Sequence, residues 1–386
     1  MKLLWLSPRW PFPADDGAKQ ASHALLEALA VAGHEIDIVT FSRDAELLPT
    51  GSSGIRLLAH YRAESQSILS KILGAVRNLG QAIPVSAAPF ARFGLNWEKL
   101  RALADEEPRA VVIDGAHVFS SFVGTNCPWP LLYRAHNREA SLWEQATGLA
   151  APHLRPYFGM QARRMAALEA DLCTRSKGIA AISPDDARDF QARFARTKTE
   201  WVPMGFHFSA PPPHSASPMT FGFLGRLDWP PNREGLAWLL REVWPQVRAQ
   251  RPDARLLVAG SGEVGALHAK MGEGVEWRGR IPSVEPFYRE IHAAMAPIFF
   301  GSGTKIKLVE AARFGRASFA TPESLKGSGL SHDCAALVSQ DPAAWIRAMV
   351  ACDAPWLKKV GDQAFTEASQ AFDSAKAADR FLSLLS

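Results

Sequence analysis

The chain has 386 residues, 47% of them hydrophobic, with 43 basic and 39 acidic residues spread along it. That length is too great for one ordinary domain and comfortable for two. The net charge of +4 is reached without any basic run, which argues against a dedicated nucleic-acid binder. The four cysteines, Cys127, Cys173, Cys334 and Cys352, lie far apart with no CxxC pair, so a reducing, cytoplasmic setting is expected.

In chain order, "MKLLWLSPRWPFP" is apolar only briefly before its prolines and reads as a first β-strand rather than a signal peptide. "GAKQASHALLEALAVAGH" places Leu25, Leu26, Leu29 and Ala32 at helical spacing, with Gly33 as the stop. "EIDIVTF", "RAVVIDG", "WPLLYRA" and "KGIAAIS" are the next strands. "SPDDARDFQARF" opens a helix with serine at the N-cap and proline at the first helical position. This alternation implies a doubly wound parallel sheet. "SAPPPHSASP", residues 209 to 218, holds neither helix nor central strand and reads as a connection.

Beyond it the alternation restarts. "MTFGFLG", "ARLLVAG", "GVEWRG", "MAPIFF" and "ASFAT" are strands; "NREGLAWLLREVWPQVRAQ" and "SVEPFYREIHAA" are helices. "DQAFTEASQAFDSAKAADRFLSLLS" is a helical ending. The expected layout is two α/β domains, Rossmann-like and doubly wound, over 1–205 and 206–365, with a C-terminal helix over 366–386 packing back on the first. A central cleft between two such domains would be the expected ligand site. No run of about 18 uninterrupted apolar residues occurs, so no spanning helix is expected.

The most informative stretch is "GSGTKIKLVEAARFG", residues 301 to 315. It follows a strand, turns through small residues and enters a helix near Thr304 or Lys305. Free N–H groups at a helix start favour an anion, and Lys305 and Lys307 add positive charge beside it. Glu310 shares a helix face with Lys307 and could accept from the paired hydroxyls of a ribose. The spacing alone fits equally a nucleotide site and a solvated Lys–Glu pair.

"GSGTKIKLVEAARFGRASFATPESLKG" resembles the donor-binding segment of retaining GT-B glycosyltransferases, in particular family 4. "FGFLGRLDWPPNREGLAWLLREVWPQVRAQRPDARLLVAGSGE" is similar to the start of that family's C-terminal domain. "YRAHNREASLWEQ" and "KGIAAISPDDARDF" are similar to parts of its N-terminal domain, and "VPMGFHF" to the joining segment. The resemblance implies sugar transfer from a nucleotide-diphosphate sugar with retention, in polysaccharide or glycoconjugate synthesis, without a cofactor or metal. It implies that Glu310 binds the donor ribose, and that Arg226 and Lys307 face the diphosphate. The amides around Gly301, Ser302, Gly303 and Thr304 would lie near sugar and phosphates. Gly17 matches the glycine loop after the first strand, and His136 a histidine that bonds the donor sugar. The sequence departs from the family pattern twice. Ser302 stands where many members carry a first glutamate. Asn232 and Arg233 stand where many carry a lysine, so that Lys305 or Arg233 would substitute.

Each of these positions also has a plain structural reading. Arg226 could be a surface arginine, His136 a helix cap, Gly17 a turn glycine. Asp15 and Asp16 read as a solvated loop pair. Asp114 and His117, past a strand end, could line the cleft. "GSGEVG", Gly260 to Gly265, fits the dinucleotide fingerprint but follows the second strand of its half, and Glu285 falls at a helix start; it reads as a helix entry turn. Residues 67–83 put Ile68, Leu69, Ile72, Leu73, Val76 and Leu79 on one face, by default a core face, otherwise a peripheral membrane contact or acceptor wall. The acceptor, lipid-linked or other, is not specified by the sequence. Rival readings are a nucleotide-sugar epimerase on the same fold, a non-catalytic nucleotide-sugar binder and, on "GSGEVG" alone, a dehydrogenase.

Overall fold

The computed structural model describes residues 1–12, 17–41, 53–62, 77–213, 218–300 and 305–386. It divides into two compact units, Met1–Gly205 with Ser374–Ser386, and Phe206–Asp373. Each is built on a parallel sheet.

The first sheet contains β1 (Lys2–Ser7), β2 (Glu35–Thr40), β3 (Ile55–His60), β4 (Ala110–Asp114), β5 (Leu131–Ala135), β6 (Gly178–Ala181) and β7 (Lys198–Trp201). Their order is β3-β2-β1-β4-β5-β6-β7, parallel throughout. β1 is apolar without a break because both of its faces are covered. Leu3 and Trp5 pack with Leu25, Leu29, Phe381 and Leu384; Leu4 and Leu6 pack with Val111, Phe119 and Leu172 on the other side. The helix Gly17–Val31 buries Ala21, Ser22, Leu25, Leu26 and Leu29. Gly33, at φ 81°, ends it as expected. Ala32 lies past its end and is exposed.

The second sheet contains β8 (Thr220–Leu224), β9 (Arg255–Ala259), β10 (Val275–Trp277), β11 (Ala293–Ala296), β12 (Ala317–Ala320) and β13 (Leu337–Val338). Their order is β10-β9-β8-β11-β12-β13, again parallel. In both sheets the order reverses once, between β1 and β4 and between β8 and β11. The carboxyl ends at such reversals are where open α/β sheets bind ligands.

Four details correct the sequence reading. β11 lies in "AAMA", upstream of the expected "MAPIFF", because Pro297 has no N–H for a central ladder. β3, β7 and β13 were not foreseen. The long helix expected from Asn232 onward is interrupted by a π-helical turn, Leu239–Val243, before a second helix, Trp244–Gln250. Pro245, without an N–H and with a ring that crowds the preceding turn, accounts for the widening. The helical ending breaks at Phe372–Asp373. Ala354–Ala371 belongs to the second unit and Ser374–Leu382 to the first, where Phe381 meets Trp5 with ring centroids 5.7 Å apart.

Of the segment 67–83, residues 67–76 lie outside the described residues. Leu79, assigned to its apolar face, is exposed. Buried Asn78 holds this end by accepting from Gln161 Nε2 and Arg164 Nη1, each at 3.0 Å. In the second unit the connection is held by buried Arg316, which donates to the carbonyls of Tyr288, Pro212 and Pro213 at 2.6, 3.0 and 3.0 Å.

Candidate functional site

The carboxyl edge of the second sheet brings together Arg226, Lys307 and Glu310 of the expected site residues. β8 ends at Leu224 and the chain turns through Gly225 and Arg226. The loop after β9 lies directly on this turn. A Cβ at Gly260, where φ is 152°, would stand 1.9 Å from the Gly225 carbonyl oxygen; one at Gly262, φ 99°, would stand 2.7 Å from the Asp228 nitrogen. That contact explains the glycine spacing of "GSGEVG". A 3₁₀ turn, Gly265–Lys270, follows rather than the expected regular helix. Glu285 opens the helix Glu285–Glu290 and pairs with Arg289 at 2.6 Å.

Arg226 is half exposed, and its guanidinium lies on Asp228 at 3.1 and 2.7 Å. Asn232 is buried nearby. Its Nδ2 donates to the Arg226 carbonyl at 2.9 Å, and its Oδ1 accepts from Lys307 Nζ at 2.7 Å. The same ammonium sits 4.5 Å from the centroid of the Phe223 ring, a cation–π distance. Lys307 belongs to the helix Ile306–Arg313. Burial pushes its amine down to about 7, against the pull of Glu310 one turn further on. Glu310 accepts from the Tyr288 hydroxyl at 3.2 Å. Burial pushes its carboxyl up to about 7, opposed by the Tyr288 bond, Arg313 and Lys307. Both residues are partly exposed as a whole. Tyr288 is itself fixed by stacking on Phe314, centroids 4.8 Å apart.

Gly301, Ser302, Gly303 and Thr304 lie outside the described residues, as do Asp15 and Asp16. Lys305 is buried just before the helix, its Nζ 3.9 Å from Glu323. Arg233 donates to the Glu263 carbonyl at 3.0 Å. The flanking loop is tied to the next one: Thr321 Oγ1 donates to the Ile298 carbonyl, and Ser324 Oγ accepts from the Ile298 N–H at 3.1 Å.

The first unit carries a second polar cluster, at the reversal between β1 and β4. Asp114, the last residue of β4, is buried. Its Oδ2 accepts from Trp5 Nε1 at 3.0 Å, Ser7 Oγ at 3.2 Å and Ser22 Oγ at 2.7 Å. Its Oδ1 lies 2.6 Å from His136 Nε2. Burial opposes its charge, but His136 and the neutral donors outweigh that and hold the carboxyl below its ordinary range. An ionised carboxylate only accepts, so Nε2 carries the proton. His136 Nδ1 is buried with no partner among the described residues. His136 is thus an Asp114 partner and not a helix cap; the helix Glu139–Leu149 receives Glu169 instead, which accepts from the Glu139 and Ala140 amides at 3.0 and 3.5 Å. His117 lies 4.0 Å from Glu139, and burial pushes it down to about 4. Gly17 is the first residue of its helix.

Sequence reading thus found Arg226, Lys307 and Glu310, which the fold brings to one edge. It named Asn232 only as a departure from the family lysine, not as the link between them, and it did not name Tyr288. The position of Asn232, in the first turn of the helix Pro230–Trp238 and near where the family carries a lysine, was the available signal. Among the described residues no group of three or more His, Cys, Asp or Glu stands at metal-binding spacing, and no helix is long and apolar enough to cross a membrane.

Comparison with known proteins identifies the family and the fold. Residues 16–209 match the family described as Glycosyltransferase Family 4, and residues 218–352 match Glycosyl transferases group 1. A 44.6 kDa Klebsiella pneumoniae protein, described as uncharacterized and in the cps region, is 20% identical over 97% of both chains. Sucrose-phosphate synthase from Thermosynechococcus elongatus superposes with a TM-score of 0.72 at 17% identity, covering 100% of this chain and 98% of that one. Anabaena HepE in complex with UDP and glucose superposes at 0.67 and 15% identity, with 100% and 99% covered. S. aureus TarM, in a complex that includes UDP, does so at 0.70 and 11% identity, with 100% of both chains covered.

Proposed function

The chain belongs to glycosyltransferase family 4, and on that premise we propose that it moves a hexosyl or related sugar from a nucleoside-diphosphate sugar to a hydroxyl-bearing acceptor, with retention of configuration. The observation that carries the donor assignment is the Lys307–Asn232 contact beside Glu310 at the sheet reversal. As the sugar departs, negative charge grows on the diphosphate. Lys307 and Arg226 stabilise that charge more than they stabilise the intact donor, which is the condition for accelerating the step. A bound phosphate also restores the Lys307 proton that burial disfavours. Arg226 exchanges Asp228 for phosphate. Glu310, ionised and held on one oxygen by Tyr288, accepts from the ribose hydroxyls. By the family resemblance, His136 addresses the transferred sugar, and Gly17 and the amides of 301–304 the donor.

These cations supply the countercharge directly, so we assign no metal to the step. EDTA should leave turnover unchanged; a collapse restored by magnesium or manganese would overturn that. The four free cysteines fit a reducing compartment, and polysaccharide or glycoconjugate synthesis, in the cytoplasm or at the inner face of the membrane, is the process we assign. UDP in the HepE and TarM complexes makes UDP-sugars the first donors to try. The test is a thermal-shift screen of the full chain against UDP-, GDP-, ADP- and TDP-sugars, followed by turnover with a binding donor and NMR of the product. A melting rise with one base and a product of unchanged anomeric configuration are expected. An inverted product would overturn retention, and the absence of any shift would overturn the donor class.

A further inference from the structure

We propose that Asn232 is a positioning residue of the diphosphate site, which joins the Lys307 ammonium and the backbone of the Arg226 loop into one unit and, as a neutral amide, leaves the charge of Lys307 available to phosphate. The inference rests on the donor assignment above.

The geometry is specific. Asn232 spends its acceptor on Lys307 Nζ at 2.7 Å and a donor on the Arg226 carbonyl at 2.9 Å. Its side chain is wedged in place. A Cβ at Gly225 would stand 2.8 Å from Nδ2 and 2.9 Å from Cγ, so the turn after β8 must be glycine for the amide to fit. The residues bridged are 75 apart in one case and 6 in the other, and the fold joins them through this one amide. Lysine has a flexible four-carbon stem and would lose much rotamer freedom on binding phosphate. With Asn232 on one side and the Phe223 ring 4.5 Å from Nζ, that ordering is complete before the ligand arrives.

The choice of an amide over a carboxylate has a separate consequence. The charged group acting on Lys307 is Glu310 on its own helix, which is bonded to Tyr288; Asn232 and Phe223 are neutral. An aspartate at 232, nearly identical in shape, would pair with the ammonium and cancel its field where the diphosphate binds. A purely structural role for residue 232 would be indifferent to that charge, whereas a positioning role is not.

The test uses the full chain with Asn232→Asp and Asn232→Ser, each shown to melt cooperatively. NMR of the lysine side chains follows the Lys307 midpoint without any ligand, with Lys307→Met identifying the signal. The wild-type midpoint should lie near 7, rise by a unit or more in Asn232→Asp, and fall in Asn232→Ser, which removes the acceptor. Calorimetry with UDP, GDP, ADP and TDP should show affinity for the preferred diphosphate reduced about tenfold or more in Asn232→Asp. An unchanged midpoint in both variants overturns the inference, and so does a shifted midpoint with undiminished nucleotide affinity in Asn232→Asp. Failure of the wild-type chain to bind any of the four overturns the proposed function and this inference with it, whereas failure confined to the variants' predicted changes overturns this inference alone.

Discussion

Asp114 and Glu310 are both carboxylates at the carboxyl edge of a parallel sheet, and their affinities for a proton move in opposite directions. Asp114 is met by Trp5, Ser7, Ser22 and His136 and is held ionised, below its ordinary range. Among the described residues Glu310 is met by one hydroxyl, from Tyr288, and burial pushes it up to about 7, while it pushes the neighbouring Lys307 down to about 7. Burial acts on both sites; at Asp114 the attraction of His136, helped by the added donors, outweighs it. A saturated carboxylate anchors structure. An amine and a carboxylate whose charged forms burial disfavours gain from phosphate and hydroxyl groups that restore those charges, which is what a donor site requires.

The largest expected effect breaks the saturated side. Asp114→Ala strips the acceptor from four buried or nearly buried donors and should destabilise the chain by about 3 kcal/mol or more, read from thermal or urea melts. A loss under about 1 kcal/mol would mean that water replaces the carboxylate and that the cluster is no anchor. Next comes Lys307→Met, which should weaken diphosphate binding about 100-fold while leaving the melting temperature equal or a few degrees higher, because a charge that burial disfavours is removed. A melting temperature lowered as far as in Asp114→Ala would erase the distinction between the two regions.

The pH dependence sharpens the comparison with a smaller effect. The folded value of Glu310, about 7, exceeds its ordinary 4.5, so the native state binds more protons than the unfolded chain between those limits. Its contribution to stability therefore falls as pH rises through that window. Asp114 has the opposite sign: its folded value is depressed, so its contribution is present above its ordinary 3.8 and is lost as pH falls through the folded value. Melts of Glu310→Gln against wild type from pH 4.5 to 7.5 should show the difference growing in favour of the variant. A constant difference would contradict the assigned cause. The smallest effect is Ser7→Ala. Its single proton is shared between the Arg9 carbonyl at 2.7 Å and Asp114 at 3.2 Å, and Asp114 keeps its other donors, so the change should be about 0.5–1 kcal/mol.

Much of this was legible in the sequence, for identifiable reasons. Central strands such as "KLLWLS" and "ARLLVAG" are apolar throughout because helices cover both faces. β7, "KTEW", is short, polar and at the sheet edge, and β13 has two residues, so neither produces a pattern. β11 was displaced because apolar "PIFF" outweighed the missing N–H of Pro297. At the site, Arg226, Lys307 and Glu310 were visible through charge type and family spacing. Asn232 was visible only as a departure from the family lysine; its linking role was not, since that depends on a partner 75 residues away. The Asp114 cluster joins residues from 22 to 109 positions apart, and such convergence belongs to the fold rather than to any local pattern.

The central claim is that the Lys307–Glu310 pair is the ligand-facing one. Calorimetric titration of the full chain with UDP, GDP, ADP and TDP, wild type beside Lys307→Met, tests it most directly. The account predicts that one diphosphate binds the wild type and that its affinity falls about 100-fold in a variant that melts no lower. Undiminished binding in Lys307→Met, or no binding of any of the four to the wild type, would contradict it.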